Sequence, residues 1–145
     1  LTKGTGGNLS VFNREKGLIA ITPSGIDFFE IKEEDIVIMD LEGRVVEGEK
    51  LPSSEWYMHL IQYQQREDLD AVIHAHTTYG TVLSVLREPL LASHYMIAVA
   101  GKDVRVADYA TYGTKELAEN AAEAMKDRRA VFLANTVSWQ VLRIY

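Results

Sequence analysis

Lys50-Leu51-Pro52-Ser53-Ser54-Glu55-Trp56 and, further on, Ala71-Val72-Ile73-His74-Ala75-His76 are the stretches whose reading decides the fold. Ser53 or Ser54 can cap a helix by accepting from the amides left unpaired at its start. A helix from Glu55 to about Arg66 places Trp56, Leu60 and Tyr63 at i, i+4 and i+7, a stripe for burial. The short apolar run Ala71–Ala75 then reads as a buried strand, so the chain is mixed α/β. In an extended strand side chains alternate faces, and His74 and His76 project from one side with only Ala75 between them. One carboxylate and two imidazoles are candidate ligands for a divalent ion such as zinc, which takes a small tetrahedral shell with one position open in catalytic sites. The plain alternative is a core histidine beside an exposed one, with Glu55 complementing the helix dipole.

Composition narrows the field. The chain has 145 residues, 47% of them apolar, enough for one core and therefore one domain. A formal charge of −6 argues against nucleic acid, which needs a clustered basic face. Zero cysteines exclude a disulfide scaffold and leave histidine and carboxylate as metal ligands, as suits a cytoplasmic enzyme. The longest apolar stretch, Leu90 to Ala100, carries His94 and falls short of the ~20 residues of a membrane span, so no membrane association is expected. The chain opens on Leu1 and runs into a glycine-rich loop, from which a missing amino-terminal segment is expected.

Along the chain, Leu9–Phe12, Leu18–Thr22, Ile36–Met39 and Val45–Val46 read as strands of a β meander, with Asp40-Leu41-Glu42-Gly43 as a turn. After the strand at Ala71–Ala75 comes a helix of roughly Thr78–Leu86, stopped before Pro89. A strand is expected at Val104–Ala107. Thr114 caps a helix in which Leu117, Ala121, Ala124 and Met125 keep helical spacing, and Ala130–Ala134 reads as the final buried strand.

Two loops rich in glycine and hydroxyl residues, Gly4-Thr5-Gly6-Gly7-Asn8-Leu9-Ser10 and Ile21-Thr22-Pro23-Ser24-Gly25, suit a phosphate, although most such loops are only turns. Ser53-Ser54 adds a helix start, whose free amides and dipole favour an anion. Glu55 can ligate a metal or transfer a proton. Tyr95, Tyr109 and Tyr112 are candidate acids or core aromatics, and His59 reads as structural.

Taken in order, G-T-G-G-N-L-S, I-T-P-S-G, L-P-S-S-E-W, V-I-H-A-H, S-H-Y-M-I-A, Y-A-T-Y-G-T and V-F-L-A-N resemble the class II aldolase/adducin family over residues 4 to 135. The resemblance implies a three-layer α/β/α domain around a mainly antiparallel sheet, one zinc ion per subunit, and a homotetramer with active sites at subunit interfaces. It implies aldol cleavage of a phosphorylated ketose, and the S-H-Y-M-I-A stretch points to L-fuculose 1-phosphate, giving dihydroxyacetone phosphate and L-lactaldehyde. By matching position, Gly7, Asn8, Ser24, Gly25, Ser53 and Ser54 would hold the phosphate, and Glu55, His74 and His76 would face zinc. Glu55 would also move the proton, Tyr95 would serve a neighbour's site as the acid, and Tyr112 would line the aldehyde pocket. A sugar-phosphate 4-epimerase, a methylthioribulose-phosphate dehydratase and a non-catalytic adducin-like domain share the implied fold.

One departure stands out. The family continues with Asn-His-Gly, whose histidine is a third imidazole ligand, whereas Asn135 here precedes Thr136-Val137-Ser138-Trp139. The expectation is an incomplete domain lacking an amino-terminal helix and carboxy-terminal helices. Residues 136–145 would be an aberrant tail produced by a frameshift after Asn135, impairing zinc binding and activity.

Overall fold

The computed structural model describes residues 4–135 and 138–142. Strands β1 (Asn8–Asn13), β2 (Leu18–Ile21), β3 (Val37–Asp40) and β4 (Val45–Glu47) form the expected meander, each antiparallel to the one before. There follow α1 (Trp56–Gln65), β5 (Ala71–Ala75), α2 (Thr78–Leu86), α3 (Ile97–Ala100), β6 (Arg105–Ala107), α4 (Lys115–Ala124), β7 (Ala130–Leu133) and β8 (Ser138–Leu142). These eight strands join one sheet in the order β4-β3-β2-β1-β5-β8-β7-β6, and among them only β6 and β7 run parallel.

The sequence reading ends the sheet at Ala130–Ala134, but the structure adds β8, paired with β5 on one side and β7 on the other. A ladder asks of a strand only its N–H and C=O groups, so an extended segment of almost any composition can fill that slot. Residues 136–137 and 143–145, part of the expected aberrant tail, lie outside the described residues.

Strand β7 shows why the domain has three layers. Its four residues are all buried, but Val131 and Leu133 join one core cluster with Leu60 of α1 and Leu117 of α4, while Ala130 and Phe132 join another with Leu83 of α2 and Ile97 of α3. Because strand side chains alternate faces, α1 and α4 cover one face and α2 and α3 the other. The larger core lies under α1 and α4, where Ile19, Val37, Leu69, Val72 and Met125 are almost fully buried.

Helix boundaries differ from the reading in small, explicable ways. Glu55 occupies the cap position of α1 rather than its first turn, and Ser53 supports it by accepting from the Glu55 amide at 3.3 Å. Thr114 caps α4, its hydroxyl accepting from Leu117 N at 3.3 Å. Helix α3 goes beyond the sequence reading, since four residues are too few to show a helical period. Among the described residues no helix is long and apolar enough to cross a membrane.

Candidate functional site

Three loops meet at one end of the sheet. Ser24 N donates to Leu51 O at 2.9 Å and Ser53 N to Thr22 O at 3.1 Å, with Pro23 and Pro52 bridged, so the loop after β2 is laced to the loop before α1. Thr22 N donates to Leu9 O at 3.0 Å and Leu9 N to the Thr22 hydroxyl at 3.1 Å, which brings in the loop before β1. Gly7 at φ 85° and Gly25 at φ 77° take left-handed backbone conformations that side chains disfavour, so glycine is what these turns require. Between the loops lies a cavity of about 330 Å³ bounded by Gly7, Ser24, Gly25, Ser53, Ser54 and Tyr112, with Asn8, Glu55 and His76 at its floor. Tyr112 joins it through a hydrogen bond between its hydroxyl and that of Ser54. A wall of glycines and hydroxyls at a helix start is suited to a phosphate.

The floor holds the carboxylate and imidazoles. His74 Nε2 lies 3.3 Å from Glu55 Oε2 and 3.2 Å from His76 Nε2. Strand alternation accomplishes this as the sequence predicts, although His76 sits just past the end of β5. Burial holds the His74 imidazole down at about 3, with His76 adding to the effect, and lowers His76 as well. Both rings are therefore neutral at pH 7, the form in which imidazole binds metal. Burial raises the Glu55 carboxyl, opposed by a hydrogen bond from Asn8.

The donor set suits a metal ion. Spacings of 3.2 and 3.3 Å match the ~3.3 Å expected between ligands that each lie about 2.0–2.1 Å from one tetrahedral ion. Glu55 Oε1 is buried with no hydrogen-bond partner among the described residues, an arrangement that a cation would relieve. Among the described residues no group of three or more His, Cys, Asp or Glu side chains is arranged so that it could hold a metal ion by itself, so the set is a partial one.

Two expected residues lie differently from the rest. Asn8 is turned inward, its amide donating to Glu55 Oε2 at 2.8 Å while its carbonyl oxygen meets His59 Nε2. Tyr95 is 78% exposed, its ring against His94 and outside the cavity. The sequence reading misses the partners behind Asn8: Ser10 Oγ lies 2.7 Å from His59 Nδ1 and 2.7 Å from Tyr63 OH. A signal is present, since Glu55, His59 and Tyr63 repeat every four residues along one helical face while Asn8 and Ser10 repeat every two along a strand. A larger cleft of about 850 Å³ elsewhere is walled by Arg66, Lys126, Arg128 and Arg129. Arg66 is paired with Asp68 and Arg128 with Asp103, and the cleft has none of the carboxylate–imidazole chemistry.

The chain is similar to proteins of known family. The Class II Aldolase and Adducin N-terminal domain matches residues 1–136. A 5-deoxy-D-ribulose 1-phosphate aldolase of Bacillus thuringiensis serovar kurstaki is 57% identical over 135 residues, covering 93% of this chain and 63% of that protein. An L-fuculose phosphate aldolase of Escherichia coli O6:H1 is 47% identical over 134 residues, covering 92% and 61%. Among solved structures, an L-fuculose 1-phosphate aldolase with 77% identity superposes with a TM-score of 0.97 over 100% of this chain and 68% of its own. One from Thermus thermophilus has 31% identity and a TM-score of 0.83, covering 97% and 70%. The chain thus spans about three-fifths of the length of the curated relatives it matches.

Proposed function

The chain belongs to the class II aldolase and adducin family, and from that premise we propose that it is a metal-dependent aldolase acting on a ketose 1-phosphate. The observation that carries this reading is one cavity in which a phosphate-suited wall adjoins a buried carboxylate and two neutral imidazoles. Gly7, Ser24, Gly25, Ser53 and Ser54 hold the phosphate. Glu55, His74 and His76 hold a zinc ion, which when bound supplies Lewis-acid stabilisation for charge developing on adjacent ketose oxygens. Cleavage breaks the C3–C4 bond, and the electron pair left at C3 takes a proton that the Glu55 carboxylate draws from water and relays. The hydroxyl at C4 becomes the aldehyde, its proton passing to the Tyr95 oxygen as the phenol releases its own to water, and Tyr95 acts as the acid at the same oxygen in the reverse direction. Tyr112 lines the aldehyde end.

Tyr95 reaches such a substrate from a neighbouring copy. Its exposure, together with that of Tyr79, Val82, Val85, Leu86, Leu91 and Val99, supports a homotetramer in which this face is covered. A monomer mass in sedimentation would overturn that assembly. The absence of cysteine suits a cytoplasmic setting.

L-Fuculose 1-phosphate, cleaved to dihydroxyacetone phosphate and L-lactaldehyde, is the first substrate proposed. The 57% identity to a 5-deoxy-D-ribulose 1-phosphate aldolase supports a second, which differs only at the aldehyde end. Relatives named as aldolases favour cleavage over epimerisation or dehydration, and the presence of Glu55, His74 and His76 favours an enzyme over an adducin-like structural domain. With Thr136 standing where the family has a histidine, zinc affinity and turnover are reduced, as expected of a frameshifted tail. Zinc titration and product analysis on this chain and on Thr136→His, with both ketose phosphates, provide the test. The variant should bind zinc more tightly and release dihydroxyacetone phosphate, and failure to cleave either substrate when zinc-loaded would sink the aldolase reading.

A further inference from the structure

Asn8, Ser10, Glu55, His59 and Tyr63 are each no more than 6% exposed, and their polar atoms form one continuous chain between α1 and the sheet. Register explains why it ends at the site: Asn8 on β1 is the cross-strand partner of His74 on β5, and Ser10 lies two residues further along the same face. We propose that His59 is a positioning residue, one that with Ser10 and Tyr63 fixes the orientation of the Asn8 amide and through it the Glu55 carboxylate. The inference rests on reading Glu55 as the metal-facing, proton-carrying group.

Donor and acceptor chemistry gives the chain a direction. An ionised carboxylate only accepts, so Asn8 must turn its NH₂ toward Glu55 Oε2 and its carbonyl oxygen toward His59. That oxygen also only accepts, so His59 Nε2 must carry the hydrogen. In the neutral ring Nδ1 is then unprotonated, which requires Ser10 Oγ to donate at 2.7 Å. Ser10 Oγ also lies 2.7 Å from Tyr63 OH, which donates to the Ser10 carbonyl at 3.0 Å and so holds the serine in place. Ser10 thus sets the tautomer of His59, and His59 the face that Asn8 shows to Glu55. One carboxylate oxygen is pinned, and Oε1 has no hydrogen-bond partner among the described residues. The opposite polarity needs a flipped Asn8, which would set its carbonyl oxygen against the carboxylate unless Glu55 were protonated.

The direction is measurable without any turnover. Nitrogen-15 NMR of histidine-labelled full chain at pH 7 should show His59 as the Nε2–H tautomer, and one Asn8 side-chain amide proton should be shifted downfield by the carboxylate. His59→Phe, which keeps a ring but removes the donor, should abolish the Asn8 shift and weaken zinc binding about 10- to 100-fold, as loss of a ligand's hydrogen-bond partner generally does. His59→Gln, which retains an N–H donor, should recover part of both. If His59→Phe fails to fold, Ser10→Ala serves instead, because without the serine hydroxyl His59 should populate both tautomers. An Nδ1–H tautomer in the unaltered chain overturns the proposal. So does a folded His59→Phe chain with unchanged Asn8 amide signals and zinc affinity. A zinc-loaded Thr136→His chain that cleaves no ketose phosphate yet shows the tautomer, the Asn8 response and the weakened zinc binding sinks the aldolase reading and leaves the positioning role intact.

Discussion

The floor of the cavity and the segment from α2 through α3 solve opposite problems. Beneath Glu55, polar side chains that would be costly to bury are given partners across β1, β5 and α1. From Tyr79, 85% exposed, through Val82, Val85, Leu86 and Leu91 to Tyr95 and Val99, apolar and aromatic groups face outward instead. The first region finds most of its hydrogen-bond partners within its own chain, and the second leaves its apolar groups uncovered, as an interface would. Under the proposed function the contrast marks a division of labour, in which the chain builds the floor of its site itself and supplies the acid to a neighbour.

The sharpest way to break this comparison is Glu55→Gln. In a chain that turns over substrate, such as the Thr136→His variant, it should lower kcat by about 10²- to 10⁴-fold while phosphate affinity changes little. Near-normal turnover would remove Glu55 from the chemistry and leave the floor merely structural. Next, Tyr95→Phe should lower kcat by about 10²-fold with little change in KM, since a proton transfer belongs to the transition state. Mixing Tyr95→Phe chains with Glu55→Gln chains should restore part of the activity, because a mixed assembly contains some sites with both residues intact. Verified mixed assemblies without rescue would show that the exposed segment serves its own chain.

Acidification should affect the floor alone. Burial holds His59 and His74 below their ordinary values, so the unfolded chain takes up protons there that the folded chain does not. The zinc-free chain should therefore have its full stability above about pH 6.5 and lose up to about 1.4 kcal/mol per pH unit per histidine as pH falls below it. Glu55, whose carboxyl is raised, works in the opposite sense, but it is one group against three, since burial lowers His76 as well. Urea midpoints at pH 7 and pH 5 measure the difference, and an unchanged or higher midpoint at pH 5 would contradict it. The smallest effect is expected from Tyr112→Phe, which removes one partly exposed hydrogen bond to Ser54 and should cost about 0.5–1.5 kcal/mol. A thermal melt detects it.

Much of this is legible in the sequence because it depends on short spacings. The meander follows from alternating apolar residues and the pairing of His74 with His76 from the period of a strand, whereas α1 starts at Glu55 without the side-chain cap expected of Ser53 or Ser54. What is not legible depends on register between distant segments. Nothing near His59 says that residue 8 will lie beside it, and taken alone a histidine among Met58, Leu60 and Ile61 reads as core. Strand β8 escapes because backbone pairing leaves little trace in side chains. Tyr95 can be named from its motif, but its exposure cannot, since that is a property of a surface and not of a spacing.

The place of β8 in the sheet also bears on how the chain is made. The meander and β5 are complete once residue 75 has been synthesised, and β6 and β7 can pair with each other after residue 133. Beyond the packing of α1 on α4, the two halves are joined within the sheet, among the described residues, through β8, which pairs with both. Until residue 142 emerges, a nascent chain therefore carries two unjoined sheet edges, at β5 and at β7, whose open N–H and C=O groups invite mispairing. Closing them by a late, sequence-distant strand is a slow kind of step, since contacts of high sequence separation carry the largest loop-closure entropy. Translation past residue 142 thus becomes the event that commits the two half-sheets to one domain.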